Sequence, residues 1–256
     1  MRSMANSPST GLDHCCKPAC NLPSYNLKTC IMELKYLVGM AFMAFPIVLG
    51  AQTLETINDL TVKIKGLDEV GPFSEGLAAV RKDGKWGFID QAGNLVIDFR
   101  DNVVWNQNAE ESQGDIKAIR YPKFKNGLCA IQEIKDGGIP FYGFIDTQGK
   151  IVIEPEYLNV TGFKDDRAIG VYCRRTFRGK NDFQLDIYEY AFTEVVLNTQ
   201  GEIIWPIGKR ENISMIKKRY QTPHLTASFI SPDLILVKTG KNDFQICNIR
   251  EQIQKL

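Results

Sequence analysis

A short segment recurs along this chain, and one copy of it is too small to bury both of its faces. Residues 67–99 contain Phe73-Ser-Glu-Gly76-Leu-Ala78, then Asp83-Gly84-Lys-Trp86-Gly87-Phe-Ile-Asp90, then Gly93-Asn-Leu-Val-Ile97. A second copy starts at Phe124-Lys-Asn-Gly127-Leu-Cys-Ala130 and continues through Tyr142-Gly143-Phe-Ile-Asp146 and Gly149 to Ile153. A third starts at Tyr157-Leu-Asn-Val160-Thr-Gly-Phe163-Lys-Asp-Asp-Arg-Ala168, is swollen by an insertion around 174–190, and resumes at Val195-Val-Leu-Asn198-Thr-Gln-Gly201. A partial copy follows, with Leu234–Val237, a turn near Gly240 and Phe244–Asn248. Repeats of this kind must stack and share cores, so the repeat decides the fold before any single residue does.

The chemistry inside each copy is that of strands and tight turns. Leu77–Arg81 and Trp86–Asp90 read as strands joined at Asp83-Gly84, a strong two-residue hairpin signal. Asp90, Asp146 and Asn198 each stand three residues before a glycine, where a side-chain oxygen holds turn amides and the glycine takes positive φ. Aspartate and asparagine exchanging at one position points to backbone hydrogen bonding, not to a required charge. In Trp86-Gly87 and Tyr142-Gly143, the aromatic covers a neighbouring strand while the glycine admits another backbone. Glu194-Val195 stands at this place in the third copy. Arg100–Lys123 reads as a long loop with a polar middle and one extra strand around Asp115–Arg120.

Phe-x-Glu-Gly-Leu-Ala, Gly-Lys-Trp-Gly-Phe-Ile-Asp and Gly-x-Leu-Val-Ile resemble the WG repeats of bacterial proteins, over roughly residues 65–206 and the partial copy. The resemblance implies repeats at about 67–102, 121–156 and 157–206, with a partial one at 230–250, inside a β domain spanning 52–256. It brings no shared catalytic residues. The expected fold class is all-β: tandem antiparallel β-hairpin repeats forming an elongated or partly curled, propeller-like array. Unequal spacing between copies favours an open array over close radial symmetry, since Phe124 and Phe163 lie closer together than Gly93 and Gly149.

Composition enters mainly by exclusion. The 31 basic and 30 acidic side chains give a net charge of +1, with no basic run for nucleic acid to recognise. The front end differs from the rest. Residues 36–51 carry no charge, Lys28 and Lys35 precede them, and Ala51 ends the run ahead of Gln52. A positive lead, an apolar run and a small terminal residue are the parts of a secretory signal peptide, here 32–51. The alternative is a membrane anchor at 36–51, although that run is short of the ~20 residues a spanning helix needs. Met32 makes an ordinary start, so residues 1–31 read as a leader or as sequence ahead of the true start.

That leader holds His14, Cys15, Cys16, Cys20 and Cys30, whose spacing does not match paired Cys-x-x-Cys knuckles. Cys129, Cys173 and Cys247 remain beyond it, among apolar neighbours, where a buried structural thiol is expected. His224 is the one histidine beyond the leader, too few for a two-histidine metal site. Glu154 and Glu156 flank Pro155, Asp165 adjoins Asp166, and Asp90 with Asp146 form a third acidic pair. Hydrolysis of glycosides needs carboxylates ~5–9.5 Å apart across a cleft, and turn caps explain Asp90 and Asp146 without one.

Trp105, Trp205, Phe177, Tyr188 and Tyr190 lie in or beside the irregular regions and suit core packing or recognition. The expected protein is an exported, non-catalytic module binding a protein or polysaccharide of the cell envelope, in the periplasm, at the outer surface or secreted. No cofactor, metal, catalytic residue or nucleic acid is expected, and the binding residues are not legible. The alternatives are a membrane-anchored structural envelope protein and an envelope enzyme with its site in the insertions.

Overall fold

A computed structural model describes residues 62–135 and 137–253. The candidate signal peptide and the leader cysteines lie outside these described residues. The fold is all-β, an open series of antiparallel hairpin sheets. The first sheet is a four-stranded meander of β1 (Glu69–Ser74), β2 (Leu77–Lys82), β3 (Lys85–Ile89) and β4 (Leu95–Arg100). The second has six strands in chain order: β5 (Cys129–Lys135), β6 (Ile139–Ile145), β7 (Ile151–Val160), β8 (Arg167–Lys180), β9 (Asp186–Asn198) and β10 (Ile203–Arg210). The third comprises β11 (Ala227–Ser231), β12 (Leu234–Lys238) and β13 (Phe244–Asn248), followed by a short helix, α1 (Ile249–Ile253). None of the sheets closes into a barrel among the described residues.

The turns follow their residues. Asp83 and Gly84 have φ of 51° and 76°, the pair of positive values a two-residue hairpin turn requires. Asp90 Oδ1 accepts from Asn94 N at 2.8 Å, Asp146 Oδ1 from Lys150 N at 2.9 Å, and Asn198 Oδ1 from Glu202 N at 2.9 Å. One cap geometry therefore serves three turns with either side chain. It recurs at the tip of the β8–β9 hairpin, where Asn181 Oδ1 accepts from Leu185 N at 2.9 Å.

At Gly143 a Cβ would lie 2.3 Å from Ile153 O, and at Gly87 a Cβ would lie 2.9 Å from Ile97 O. The aromatic-glycine pair therefore marks a place where the next strand's backbone crosses too closely for any side chain. In the third unit this glycine has changed sides. Val80 faces Gly87 and Ile131 faces Gly143, but Gly170 faces Val195.

One expectation needs revision. Asp115–Arg120 is not a strand. It contains a single 3-10 turn, Ile116–Ala118, because Asp115 Oδ1 accepts from Lys117 N at 2.9 Å and holds the chain in a local turn. The second and third units share one sheet. β7 pairs with β6 over Ile151–Tyr157 and with β8 over Tyr157–Val160, so one strand belongs to both.

The core is distributed over the joints between units. Phe88 of the first unit meets Phe124 of the second edge-on at 4.8 Å, and Phe144 of the second meets Phe163 of the third at 4.8 Å. Around them, Trp86 and Ile97 share a cluster with Ile131 and Ile145, while Tyr142 and Ile153 share one with Ala168 and Leu197. Ile169 and Val196 pack with Ala227, Ile235 and Ile249 at the last joint. Burying one such aromatic contributes ~1.5–3 kcal/mol, and the edge-on geometry adds ~0.5–1.5 kcal/mol.

Candidate binding groove

Each unit begins with a phenylalanine followed by a tight turn, and these turns sit side by side. Glu75-Gly76, Asn126-Gly127 and Asp165-Asp166 all have positive φ at both residues. The Glu75 carboxylate accepts from Asn126 N at 2.7 Å and Gly127 N at 2.8 Å, and Asn126 Nδ2 donates to Asp166 Oδ1 at 3.1 Å. The Arg167 guanidinium then reaches Asp233 at 2.8 Å, in the turn between β11 and β12. A ladder of polar contacts thus links the turn tips of four successive units.

Beside this ladder lie two adjoining recesses of about 520 Å³ and 740 Å³, which share Asp115, Lys125, Gly162 and Phe163. Leu128, Phe144 and Phe163 line the smaller, with the 3-10 turn of the first insertion on its other side. Phe229, Phe244 and His224 line the far end of the larger.

The groove carries charge of both signs, with Glu75, Glu111, Asp115 and Asp165 among its lining beside Arg120, Lys238 and three lysines close to the turns. Lys123 and Lys125 line the smaller recess, and Lys125 and Lys164 the larger. The Lys125 ammonium lies 3.6 Å from where a Cβ on Gly162 would sit, so its chain runs across the floor between the recesses. Partial desolvation, then the charges of Lys123 and Lys164, hold the Lys125 pKa below its ordinary value. None of the three lysines forms one of the ion pairs found among the described residues. Two neighbouring acids are already engaged: buried Asp115 accepts from Asn159 Nδ2 at 2.8 Å, and Glu75 holds the turn amides.

Of the candidates from sequence, His224 and Asp165 line the larger recess and Cys129 the smaller, and the others fall elsewhere. Asp90 and Asp146 cap turns. Glu154 and Glu156, two residues apart, share the exposed face of β7. Asp165 and Asp166 form a turn tip. Trp105, Trp205 and Tyr190 pack against cores, whereas Phe177 stands exposed on the β8–β9 hairpin with its ring against Tyr188. Cys129, Cys173 and Cys247 form no disulfide, and burial pushes the Cys129 thiol up to about 12. No group of three or more His, Cys, Asp or Glu side chains among the described residues is placed to hold a metal.

Sequence reasoning passed over two features. The lysine cluster had a signal, Phe-Lys at the start of two successive copies. Glu194 had one as well, a carboxylate at the position that Trp86 and Tyr142 occupy in the other units. Its side chain is buried beside Arg210 and accepts from Thr226 N at 2.8 Å and Ala227 N at 2.9 Å.

A search of curated proteins finds no match to this chain. A family model described as "WG containing repeat" matches residues 65–86, 86–100 and 142–169. Those segments cover the first meander and the stretch where β6, β7 and β8 join the second unit to the third. Three segments of the chain match the WG-repeat model, and they lie within the stacked hairpins whose turn tips border the groove.

Proposed function

We propose that this chain is an exported, non-catalytic binding module whose stacked repeats present the groove to a polysaccharide or protein of the cell envelope. The observation that carries the reading is the groove itself, a long recess running beside the turn ladder with lysines that lack an ion-pair partner among the described residues. Clefts with an apolar wall and a few convergent polar groups are the usual form of a binding site. Export rests on the uncharged run 36–51 with Lys28 and Lys35 ahead of it. The reading is non-catalytic because the acidic residues that could serve as a pair are spent on turns or stand exposed on a strand face.

The experiment is intact mass and N-terminal sequencing of protein recovered from fractionated cells. A start at Gln52 in the periplasm or medium is expected, and an intact Met1 in the cytosol would overturn export. A second reading keeps the same module tethered to the membrane by residues 36–51. Membrane association that resists carbonate extraction would favour it. Among the described residues, no helix is long and apolar enough to cross a membrane.

A further inference from the structure

We infer that copies of this chain associate head to tail, with residues 62–67 and Phe73 of one copy completing the fourth unit of another at β13. The first two units are each closed by a strand paired to their return strand, with Ile97 facing Phe88 and Ile153 facing Phe144. The fourth unit has the return strand without the closing one. Ile246 holds the place of Phe88 and Phe144, facing Leu236 across its hairpin as they face Ala79 and Ala130. Two residues on, Asn248 Oδ1 accepts from Arg250 N at 3.1 Å, as Asp146 Oδ1 accepts from Gln148 N at 3.0 Å. The chain then enters α1, and no strand among the described residues pairs with the outer edge of β13.

The missing piece stands at the other end of the array. A Cβ on Gly93 would meet Lys63 Cγ at 3.3 Å, as one on Gly149 would meet Ile97 Cγ2 at 3.1 Å and one on Gly201 Ile153 Cγ1 at 3.2 Å. Lys63 stands ten residues before Phe73, as Ile153 stands ten before Phe163. Residues 62–67 therefore sit where a closing strand sits, with no return strand of their own among the described residues. Lys63 fits this place because its stem rests on Gly93. Behind the hydrogen bonds from Asn94 and Ala92, its ammonium helps hold the Asp90 carboxyl below its ordinary value, so the charge lies toward that turn.

Exposure divides the same way. Phe73 is 53% exposed where Phe124 and Phe163 are buried, and Ile246 is 66% exposed where Phe88 and Phe144 are buried. Leu95, Ile151 and Ile203 are exposed alike in three units, so that exposure belongs to the repeat, whereas the exposure of Phe73 and Ile246 belongs to its two ends. Repeat arrays ordinarily finish in units with a polar outer face. Here one end offers the ring that a joint inserts and the other the apolar position that receives it, as Phe88 receives Phe124 and Phe144 receives Phe163. Within one chain, residues 62–67 and β13 share no sheet. A second copy supplies each half with the other, and the free edge of β13 offers unpaired backbone groups to residues 62–67.

The test is sedimentation velocity of the full chain over a range of concentrations. Species above the single-chain mass should grow with concentration and fall back to one chain on dilution. Phe73→Lys, which spoils the head, and Ile246→Lys, which spoils the tail, should each leave single chains only, with circular dichroism unchanged. An equal mixture of the two should give a species of twice the single-chain mass and nothing larger, because one variant keeps a tail and the other a head. Ile134→Lys, at an exposed position on β5 away from both ends, should associate like the parent. Single chains at every concentration would overturn the inference, as would a head or tail variant that still associates alone, or a mixture that stays as single chains. All of these outcomes leave the reading of the groove untouched.

Discussion

Glu194 of the third unit accepts the backbone N–H of Ala227 in the fourth at 2.9 Å, from a side chain only 1% exposed. Thr226 donates to the same carboxylate through its N–H at 2.8 Å and its hydroxyl at 2.7 Å, and Arg210 supplies the countercharge. Where the first two units present an aromatic ring to their neighbour, this one presents a fully bonded anion.

Glu194→Ala should therefore cost about 3–5 kcal/mol, since it leaves the partly buried Arg210 without its countercharge and Ala227 N–H without an acceptor. Urea denaturation of the purified protein measures this. A loss under ~1 kcal/mol would mean that water replaces the carboxylate at no cost.

Phe124→Ala and Phe163→Ala should each cost about 3–5 kcal/mol, because both rings are buried at a joint. Phe73→Ala, at the matching position of the first unit but 53% exposed, should cost under ~1 kcal/mol. The same urea series compares the three, and equal losses would refute the assignment of the core to the joints.

At the two aromatic-glycine pairs the order of damage is set by geometry. Gly143→Ala, with a Cβ 2.3 Å from Ile153 O, should cost about 3 kcal/mol or more, and Gly87→Ala, at 2.9 Å from Ile97 O, about 1–3 kcal/mol. Thermal melts of the two variants side by side would show a larger fall for Gly143→Ala, and the reverse order would contradict the backbone crossing described for β6 and β7.

Turn hydrogen bonds, led by the one from Asn94 N, hold the Asp90 carboxyl below its ordinary value of 3.8. A depressed folded-state pKa stabilises the protein in full above the unfolded value, and that contribution fades as pH falls through the folded value. Asp90→Asn keeps the acceptor oxygen, as Asn198 does in the third unit. The variant should lose less stability than the parent between pH 5 and about pH 2 in urea titrations. An identical acid loss in both proteins would rule out a contribution from this turn.

The sequence was most informative where one residue type has one physical use. Asp83-Gly84 and the Asp or Asn before Gly93, Gly149 and Gly201 announced their turns, and the glycine beside Trp86 and Tyr142 announced a close crossing. Relations between distant positions were harder to read. Nothing in Gly170 or Val195 alone says that the glycine has moved to the facing strand. The sharing of β7 depends on a continuous pairing that a boundary drawn at residue 156 conceals. The lysine cluster comes from three turns meeting in space, so its only trace in one dimension was a Phe-Lys pair used twice.

Because each core belongs half to one unit and half to the next, the heritable module of this protein is the segment from one joint to the next. Removing Phe124 to Gly162 as a block would bring Phe163 into the position of Phe124 and restore a ring on Phe88. A cut of equal length with ends out of phase would leave two halves of different joints facing each other. Chains of this type can therefore lengthen or shorten in whole steps during evolution while the contacts at every surviving joint stay the same.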